Sequence, residues 1–481
     1  MEVLQRTANR GSISTGPYEV DNSVKLETAN NEWFYNASPT AGNRRTYTFS
    51  FWIKRTALGT VNASGNQYVI GQGQHGRMFF GSDYFQYRFD DGHDCRNVSR
   101  QFRDTSAWYH FVVAVDTNQS SAANRVKLYV NGESLAVDDH DGGSFPDIQD
   151  QGAFFSTSYL TLGTAPFGGS FNVGDGDYDI SCYLAEFCAV DGQQLAPTDF
   201  GEYDEDSGIW IPIDVSGINF GSQGFYLNFA TAGDLGDDKS GNGKDLTENN
   251  LAAADQATDT CTNNFATINL LFKYPSSQVI SEGATKVARS SGSGLNKTFI
   301  STIAVTAGKW YAEFKPTAGG SNYAVGIMPI DTASSVDMDA NHLGNSSYTA
   351  SLGYYSPDGS MLAAGNAANG SFGASYTAND IIGVALDMDN RKVYFSKNGT
   401  YQNSQDPTNG TNAITLTDTS DGYHIGFTYD TSGTVECNFG GYHANTLSSA
   451  AADGNGFGSF ENAPPTGYLA LCTKNLGSDG G

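Results

Sequence analysis

Three carboxylates stand at alternate positions in a glycine-rich stretch that reads Asp175-Gly-Asp177-Tyr-Asp179 and comes just before a predicted strand. Ca²⁺ prefers hard oxygen ligands on flexible loops, although this spacing is not that of the twelve-residue EF-hand loop. Asp175, Asp177 and Asp179 therefore predict a calcium site. The alternative is ordinary turn chemistry on an acidic protein, because Asp and Gly are residues that turns favour. A second acidic turn, Asp138 to Gly143, is a weaker candidate of the same kind.

Paired carboxylates that flank a glycosidic bond are the mark of a glycanase. The nearest such group is Glu202-Tyr-Asp204-Glu205-Asp206, which we interpret as a surface loop because Pro197 and Gly201 precede it and Gly208 follows. Glu186 is alone on its predicted strand, with no acidic neighbour in sequence. We therefore predict no catalytic residue, and hydrolysis of a polysaccharide stays an alternative.

The histidines and cysteines favour neither nucleophilic catalysis nor zinc. Seven histidines are scattered with no nucleophile motif beside them, and His110 lies in a valine-rich strand where a satisfied core residue is expected. None of the six cysteines forms a CxxC pair, and Cys182 and Cys188 share one predicted strand, roughly 20 Å apart. We predict buried free thiols in a protein made in a reducing cytoplasm.

Exposed aromatic side chains on loops would indicate binding of a carbohydrate or a peptide. Most aromatic residues at alternating positions belong to a core, so each single candidate is a weak one. The candidates are Tyr84, Phe85 and Tyr87 beside Asp90-Asp91, and Tyr348, Tyr354 and Tyr355 further along the chain.

Composition favours an all-β protein of two domains. The 481 residues suffice for two separate cores, and Gly 57, Tyr 26 and Phe 29 with only 16% charged residues are typical of sheets joined by many turns. No long stretch carries a helical apolar stripe, so we expect few helices.

The charge balance excludes one class of partner. Its formal net charge of −26 repels phosphate backbones, so we predict no binding of nucleic acid. No run of apolar residues reaches the length that spans a bilayer, so we predict no membrane insertion. The start, Met1 to Arg10, lacks the apolar centre of a signal peptide.

The same hairpin pattern occurs twice. Val113–Asp116, a polar turn and Arg125–Val130 end on Asn131-Gly132, and about 270 residues later Val384–Asp387, a turn and Arg391–Phe395 lead to Asn398-Gly399. Asn-Gly tolerates the positive φ angles of tight hairpins. The repeat predicts two antiparallel β-sandwiches in tandem.

The first half resembles the laminin-G-like, concanavalin A-like lectin family over roughly residues 22–215. The motifs that carry the resemblance are Phe49-Ser-Phe-Trp-Ile-Lys54, Trp108-Tyr-His-Phe111, Val126-Lys-Leu-Tyr-Val-Asn-Gly132 and Leu184-Ala-Glu-Phe187. The resemblance implies a jelly-roll sandwich, often with one calcium ion at the sheet rim. Trp52, on the polar face of its strand, predicts a second packed layer or a partly covered outer surface.

The second half resembles the SPRY (B30.2) family over roughly residues 300–441. The motifs are Asn379-Asp-Ile-Ile-Gly-Val-Ala-Leu-Asp387, Val393-Tyr-Phe-Ser-Lys-Asn-Gly399 and Asn438-Phe-Gly440. SPRY domains are also concanavalin A-like sandwiches, which explains the repeated hairpin. Their partner surface is formed by loops at one end, which here are residues 331–349 and 401–413.

We predict five segments from these patterns. They are an N-terminal arm at 1–22, a laminin-G-like sandwich at 23–235, a connector at 236–262, a SPRY-like sandwich at 263–441 and a C-terminal tail at 442–481. The tail is expected to dock either on its own domain or on a neighbouring subunit.

The order of the two domains resembles appendage proteins of marine bacteriophages. The resemblance implies a non-enzymatic virion surface protein, a tail fibre or a capsid-attached fibre or knob, assembled in the host cytoplasm. Its partners would be other virion proteins, further copies of itself as a homo-oligomer, and a glycan or protein of the host envelope. The alternatives are a structural clamp within the particle and a depolymerase of host polysaccharide.

Overall fold

The computed structural model describes most of the chain between residues 18 and 479. The described ranges are 18–59, 65–97, 100–139, 145–166, 178–205, 207–271, 278–289, 297–318, 322–335, 341–363, 370–416, 421–429, 433–444 and 446–479. Within them the chain forms two compact units that divide between Asn263 and Asn264. The predicted all-β class, two antiparallel concanavalin A-like sandwiches, is confirmed.

The first unit contains eighteen described strands and four short 3-10 turns. In chain order the strands are β1 Ser23–Leu26, β2 Trp33–Asn36, β3 Thr46–Arg55, β4 Asn66–Gln72, β5 Gly76–Gly81, β6 Tyr84–Arg88, β7 Asp94–Asn97, β8 Tyr109–Asp116, β9 Val126–Val130, β10 Glu133–Leu135, β11 Val137–Asp139, β12 Leu160–Leu162, β13 Cys182–Asp191, β14 Gly201–Tyr203, β15 Trp210–Pro212, β16 Phe225–Leu227, β17 Thr247–Asn249 and β18 Gln256–Ala257. The 3-10 turns are Thr28–Asn30, Ala122–Asn124, Pro197–Asp199 and Ala253–Asp255.

Two sheets face each other across the core of this unit. One has the order β10-β9-β8-β3-β13-β1-β18 with β16 also paired to β13, and the other has the order β11-β7-β6-β5-β4-β12-β2-β17. The alternation of β3 turns Phe49, Phe51 and Ile53 into the core, where the rings of Phe51 and Phe187 stack 5.4 Å apart. Aromatic side chains dominate this core because they suit the pleated surface of a strand and bury a large apolar area.

The outer face of the β3–β8–β13 sheet is covered by a further layer of chain, as Trp52 predicted. Trp52 stacks on His110 at 4.8 Å, and His110 in turn stacks on Trp210 of β15 at 6.0 Å. Trp210 Nε1 donates to His110 Nδ1 at 2.9 Å, and Ser50 Oγ lies 2.8 Å from His110 Nε2. Both ring nitrogens have partners, and burial lowers the pKa of His110 to about 3, so His110 is the satisfied core residue that was predicted.

Residues 236–262, predicted as a connector, lie inside the first unit. β17 pairs with β2 and β18 pairs with β1, so the segment extends both sheets. These strands could not be predicted from the sequence, because each is only two or three residues long and the segment has the Gly- and Asp-rich composition of turns. At the other end, described residues 18–22 lead into β1, and the Val20 amide donates to Thr262 Oγ1 at 3.0 Å.

The second unit contains fifteen described strands and two short α-helices. The strands are β19 Gln278–Ser281, β20 Lys286–Arg289, β21 Lys297–Val305, β22 Lys309–Ala318, β23 Tyr323–Pro329, β24 Leu352–Tyr355, β25 Ser360–Ala363, β26 Gly370–Ser371, β27 Ile382–Asp387, β28 Lys392–Lys397, β29 Thr400–Tyr401, β30 Ile414–Thr415, β31 Tyr423–Tyr429, β32 Gly433–Asn438 and β33 Leu469–Ala470; the helices are α1 Ile330–Ser335 and α2 Thr473–Asp479. One sheet has the order β19-β20-β32-β22-β27-β28-β29, with β30 on β28 and β33 on β22, and the other has the order β21-β31-β23-β24-β25-β26.

The predicted tail, 442–481, docks on its own unit through its described residues. β33 pairs in parallel with β22, and Ala266 N donates to the Leu471 oxygen at 2.8 Å. Phe460, Tyr468 and Cys472 are fully buried beside Tyr311. Of the two predicted dockings, the structure has the one within the chain.

The repeated hairpin is the same structure in both units. β8 pairs with β9 and β27 pairs with β28. The following turns have φ angles of 47° at Asn131 and 78° at Gly132, against 48° at Asn398 and 77° at Gly399. The side chain of each Asn accepts an equivalent main-chain hydrogen bond, from His110 N at 2.8 Å and from Ile381 N at 2.7 Å. The sequence pattern therefore predicted both turns correctly.

The two glycines of these turns give a matched pair of substitutions. Alanine at either position meets a positive φ, which costs about 1–2 kcal/mol. A Cβ at Gly132 would also lie 2.5 Å from ring carbons of Trp210, whereas at Gly399 the nearest atom is the side-chain oxygen of Asn462 at 2.8 Å. We expect Gly132→Ala to destabilise its unit more than Gly399→Ala does, as measured by amide exchange of each unit in the full chain. Equal losses would show that Trp210 moves aside freely.

Candidate functional site

A cavity of about 220 Å³ opens in the first unit where ends of β2, β4, β12 and β16 meet the neighbouring loops. Its apolar lining consists of three phenyl rings and three smaller groups, Phe49, Phe155, Phe225, Leu160, Leu246 and Pro39. Its polar lining consists of amides, hydroxyls and one pair of opposite charges, Asn36, Ser38, Thr40, Gln72, Ser156, Gln223, Lys244 and Asp245. Apolar walls with a few convergent polar groups are typical of small-molecule sites.

One wall of the cavity, the turn at residues 155–158, is fixed by Gln72. This side chain is only 2% exposed. Its Oε1 accepts from Phe155 N at 2.7 Å, and its Nε2 donates to the main-chain oxygens of Ser156 at 2.9 Å and Ser158 at 3.0 Å. Phe155 has a φ of 58°, which a bulky side chain seldom adopts unless its surroundings impose it. Gln72 thus holds the Phe155 ring in place at the cavity.

A second part of the wall, at residues 237–246, is fixed by Asp238. Its Oδ1 accepts from Tyr226 N at 2.9 Å and Ser240 N at 2.8 Å, and its Oδ2 accepts from Ser240 Oγ at 2.8 Å and Lys244 N at 2.9 Å. The loop is also held by Asn242, whose Nδ2 donates to the main-chain oxygens of Gly221 and Gly224. Lys244 and Asp245 therefore lie on an ordered loop.

The charge of the lining is balanced. Lys244 and Asp245 are its only ionisable members among the described residues. Asp245 Oδ1 accepts from Asp238 N at 2.9 Å. A glycanase needs two carboxylates on opposite sides of the bond, and this lining holds one. The arrangement can bind a polar ligand, and no pair for acid–base hydrolysis stands in it.

The sequence-predicted calcium ligands are only partly described. Asp175 and Asp177 lie outside the described residues, and Asp179 is buried, 3% exposed, just before β13. The side chains of the second acidic turn, 138–143, also fall outside the described set.

The structure brings together a different metal-type group, Asp90, His93 and Asp150, whose ligand atoms lie within 4.8 Å of one another. Hydrogen bonds with nearby residues explain the positions of these three side chains without a metal ion. Asp90 Oδ1 accepts from Gly92 N and lies 2.8 Å from His93 Nδ1, and Asp150 Oδ2 accepts from Asp147 N. The sequence gives no sign of this group, because Asp150 comes from a loop that is distant along the chain.

The described carboxylates that were considered for catalysis lie in different environments. Of the group predicted to be a surface loop, Glu202 lies exposed in the short strand β14, and Asp204 Oδ1 accepts from Ser207 N at 2.7 Å in the turn that follows. Asp206 lies outside the described residues. Glu186 is buried at a β-bulge of β13 with a φ of 48°. Its Oε2 accepts from Tyr226 Oη at 2.6 Å and Tyr18 Oη at 2.8 Å. Burial raises the pKa of Glu186 to about 7, against the opposing effect of these two donors.

Most of the predicted ligand-binding aromatic residues are in the cores. Phe85, Tyr87, Tyr348 and Tyr354 are completely buried. Alternation places a side chain on one face of a strand, but whether another layer covers that face depends on the rest of the fold. Phe155 and Phe225, which do line the cavity, carried no signal that separated them from other core residues.

The predicted partner loops of the second unit have local order where they are described. Residues 330–335 form α1, and Leu343 N donates to Thr428 Oγ1 at 3.0 Å. In the other loop Asp406 Oδ1 accepts from Thr408 N at 2.9 Å, and Asn409 Nδ2 donates to Asp406 Oδ2 at 2.6 Å. Residues 336–340 lie outside the described part.

The six cysteines are free and buried, as the sequence predicted. Cys182 and Cys188 lie on the single strand β13. In the described part of the chain, no helix has the length and apolar character needed to cross a bilayer.

Two family models match separate parts of the chain. Residues 27–175 match Laminin_G_3 of the concanavalin A-like lectin/glucanases superfamily, and residues 309–432 match the SPRY domain. The two family models that match are of the kinds, and in the order, that the strand motifs predicted. No curated protein matches it.

Solved structures match at low identity. A crystal structure of a human SPRY domain is 18% identical with a TM-score of 0.26, and the match covers 35% of this chain and 96% of that one. The SPRY domain of human HERC1 is 18% identical with a TM-score of 0.25, covering 33% and 91%. A heptameric SAP-like pentraxin from Limulus polyphemus is 13% identical with a TM-score of 0.28, covering 37% and 80%.

Proposed function

We propose that this chain is a non-enzymatic binding protein of a bacteriophage particle, displayed on the virion surface as a tail fibre or as a capsid-attached fibre or knob, that adheres to the host cell envelope. The observation that carries the adhesive part is the cavity of the first unit, whose two polar walls are held ready by Gln72 and Asp238. A preformed site loses little conformational entropy on binding. Both matched domain types are of the binding kind, for carbohydrate or for protein.

The remaining features support a particle protein made inside the host cell. Six free buried thiols fit folding in a reducing cytoplasm. The charge of −26 favours surfaces that do not carry phosphate backbones. We propose that its partners are other virion proteins and further copies of itself, arranged by the symmetry of the particle, with a host glycan or protein as the ligand.

The test combines location and adhesion. Cryo-electron microscopy of an intact particle is expected to show the chain at an outward, distal position, and the purified chain is expected to bind host cells and compete with the particle for them. Burial of both units between shell or tail proteins, with no binding to cells, would instead assign the chain to a structural clamp.

A depolymerase is distinguished by its product. Incubation of the purified chain with host polysaccharide is expected to release no reducing ends above a heat-treated control. Release that Glu202→Ala or Asp204→Ala abolishes would overturn the non-enzymatic assignment.

We further propose that Asp175, Asp177 and Asp179 take Ca²⁺. A ligand that binds only the folded state stabilises it by about 2.7 kcal/mol at a hundredfold excess over its Kd. The first unit is therefore expected to melt at higher temperature in 10 mM Ca²⁺, a concentration on the order of a hundred times the Kd of the tighter extracellular modules, than in EGTA. The triple Asp→Asn variant should lose this difference. No shift in the parent chain would leave turn chemistry as the role of the three residues.

A further inference from the structure

We propose that the cavity of the first unit holds one uncharged, hydroxyl-rich ring, such as a single neutral pyranose unit of a larger glycan, and discriminates against carboxylated or phosphorylated rings. This selectivity rests on the adhesive function proposed above and specifies its ligand.

Size limits the ligand to about one ring. The cavity measures about 220 Å³, below the roughly 300–1,000 Å³ of pockets that take drug-sized molecules. A peptide loop or an extended oligosaccharide does not fit within that volume. One ring at a chain end or on a side branch does.

The lining matches a ring with an apolar face and a polar edge. Phe155 and Phe225 belong to the lining and offer apolar ring surface against which the C–H groups of a sugar ring can pack. Asn36, Gln223 and Thr40 bring donors and acceptors to the same space, which suits hydroxyls because each of these both donates and accepts. A purely apolar ligand would leave such groups without partners.

Charge decides between neutral and acidic rings. Lys244 and Asp245 are neighbours on one loop, so the ionisable part of the lining sums to zero. A carboxylate or phosphate on the ring would be attracted by Lys244. It would also be repelled by Asp245 and by the net charge of −26 on the chain. A neutral ring uses both side chains as a donor and an acceptor for hydroxyls without that repulsion.

The positions of these groups are set before any ligand arrives. Gln72 and Asp238 form hydrogen bonds with the main chain of the two loops that line the cavity. These loops are therefore held in place, and ligand binding does not require them to rearrange. Gln72 and Asp238 are positioning residues, and the groups that would contact the ligand are the phenyl rings and the polar side chains around them.

The test uses matched pairs of small sugars with the full-length chain. Ligand-observed saturation-transfer NMR is run with the methyl glycosides of glucose, galactose and mannose, each beside its uronic acid counterpart, and with glucose 6-phosphate. At least one neutral glycoside is expected to bind, with an affinity about tenfold or more above that of its acidic counterpart, corresponding to about 1.4 kcal/mol.

Tryptophan substitutions that fill the cavity test whether the sugar binds there. Ser156→Trp, at a half-buried lining position, is expected to abolish the signal, and Thr157→Trp, at the exposed position beside it and outside the lining, is expected to keep it. If Ser156→Trp lowers the melting temperature of the first unit, Thr40→Trp at the exposed rim takes its place, with Ala37→Trp as its control.

The binding results decide between the proposed selectivity and its alternatives. Equal or tighter binding of the acidic sugars, binding that survives both cavity-filling variants, or no binding of any sugar overturns the inference. Adhesion of the chain to host cells is measured on the same variants. If the chain adheres while the inference fails, the adhesive function stands and its ligand site lies elsewhere; if the chain adheres to no host cell, the proposed function itself fails.

Discussion

Replacing Lys54 by Met is expected to destabilise the first unit by about 3–5 kcal/mol, the usual cost of leaving one partner of a buried ion pair alone. Lys54 Nζ lies 2.7 Å from Asp259 Oδ2, and the two side chains are 0% and 1% exposed. Trp108 Nε1 donates to Asp259 Oδ1 at 3.0 Å, so the carboxylate would keep this neutral donor but lose the positive charge of Lys54. The pair joins β3 to the segment that follows β18.

Hydrogen exchange of the full chain measures this loss unit by unit. Amides of β3 and β13 are expected to exchange about 10²- to 10⁴-fold faster in Lys54→Met, while amides of β22 and β27 in the second unit serve as an internal reference. Lys54→Met combined with Asp259→Asn should recover much of the loss, because it removes the lone charge and keeps an acceptor for Trp108.

A matched control is Lys239→Met. Lys239 pairs with Asp237 at the surface, with side chains 35% and 31% exposed, and pairs of that kind contribute about 0–1 kcal/mol. If Lys54→Met proved as mild as Lys239→Met, water would have to reach Asp259, and the segment after β18 would not be held by this pair.

The stability of the first unit is expected to depend on Glu186 between about pH 4.5 and pH 7. Burial raises the pKa of this carboxyl from 4.5 to about 7, so between these values the folded state holds a proton that the unfolded state has lost. Stability falls with rising pH wherever the folded state binds more protons. The contribution of Glu186 is therefore complete below about pH 4.5 and is lost as the pH rises through about 7. Over that interval it amounts to about 3 kcal/mol.

Glu186→Gln isolates this contribution. The amide oxygen can still accept from Tyr18 and Tyr226, but the side chain cannot ionise. The variant is expected to gain about 3 kcal/mol on the parent chain between pH 4.5 and pH 7.5. His110 acts in the opposite direction, because burial lowers its pKa to about 3, and Glu32 acts in the same direction with a pKa of about 7. His110 and Glu32 are present in the parent chain and in the variant, so their contributions cancel when the two free energies of unfolding are subtracted.

Urea unfolding followed by tryptophan fluorescence reports mainly on the first unit, since Trp33, Trp52, Trp108 and Trp210 lie in it and one of the five tryptophans lies in the second. Glu202→Gln, at an exposed carboxylate of the same unit, controls for the loss of one acidic group. A difference between Glu186→Gln and the parent chain that did not vary with pH would show that the pKa of Glu186 is the same in the folded and the unfolded chain.

Local patterns predicted the strands and turns well. The alternation of residues 47–54 lies within β3, the run from Trp108 to Val115 lies within β8 apart from its first residue, and both Asn-Gly pairs have the positive φ angles that their composition implied. These features depend on neighbours a few residues apart, through turn geometry and the period of two along a strand. The short strands β17 and β18 escaped because two or three residues carry no period.

The candidate site was not predictable in the same way. Gln72 is separated from Phe155 by 83 residues and Asp238 from Tyr226 by 12, and nothing in the composition of either wall distinguishes it from other polar turns. The calcium prediction at Asp175, Asp177 and Asp179 came from a local pattern and remains a prediction. The group formed by Asp90, His93 and Asp150 required the fold to bring distant loops together.

By itself, the sequence determined that this is a chain of two all-β sandwiches with matching hairpins, six free thiols and an acidic surface, because periodicity, turn composition and net charge are properties of short segments or of simple counts. Only the tertiary structure decided which aromatic rings are covered, that Lys54 meets a carboxylate 205 residues away, and that polar loops converge on one neutral cavity. The physical reason is that alternation fixes the face on which a side chain lies, whereas the partner on that face is set by strand order and by the path of the chain between strands.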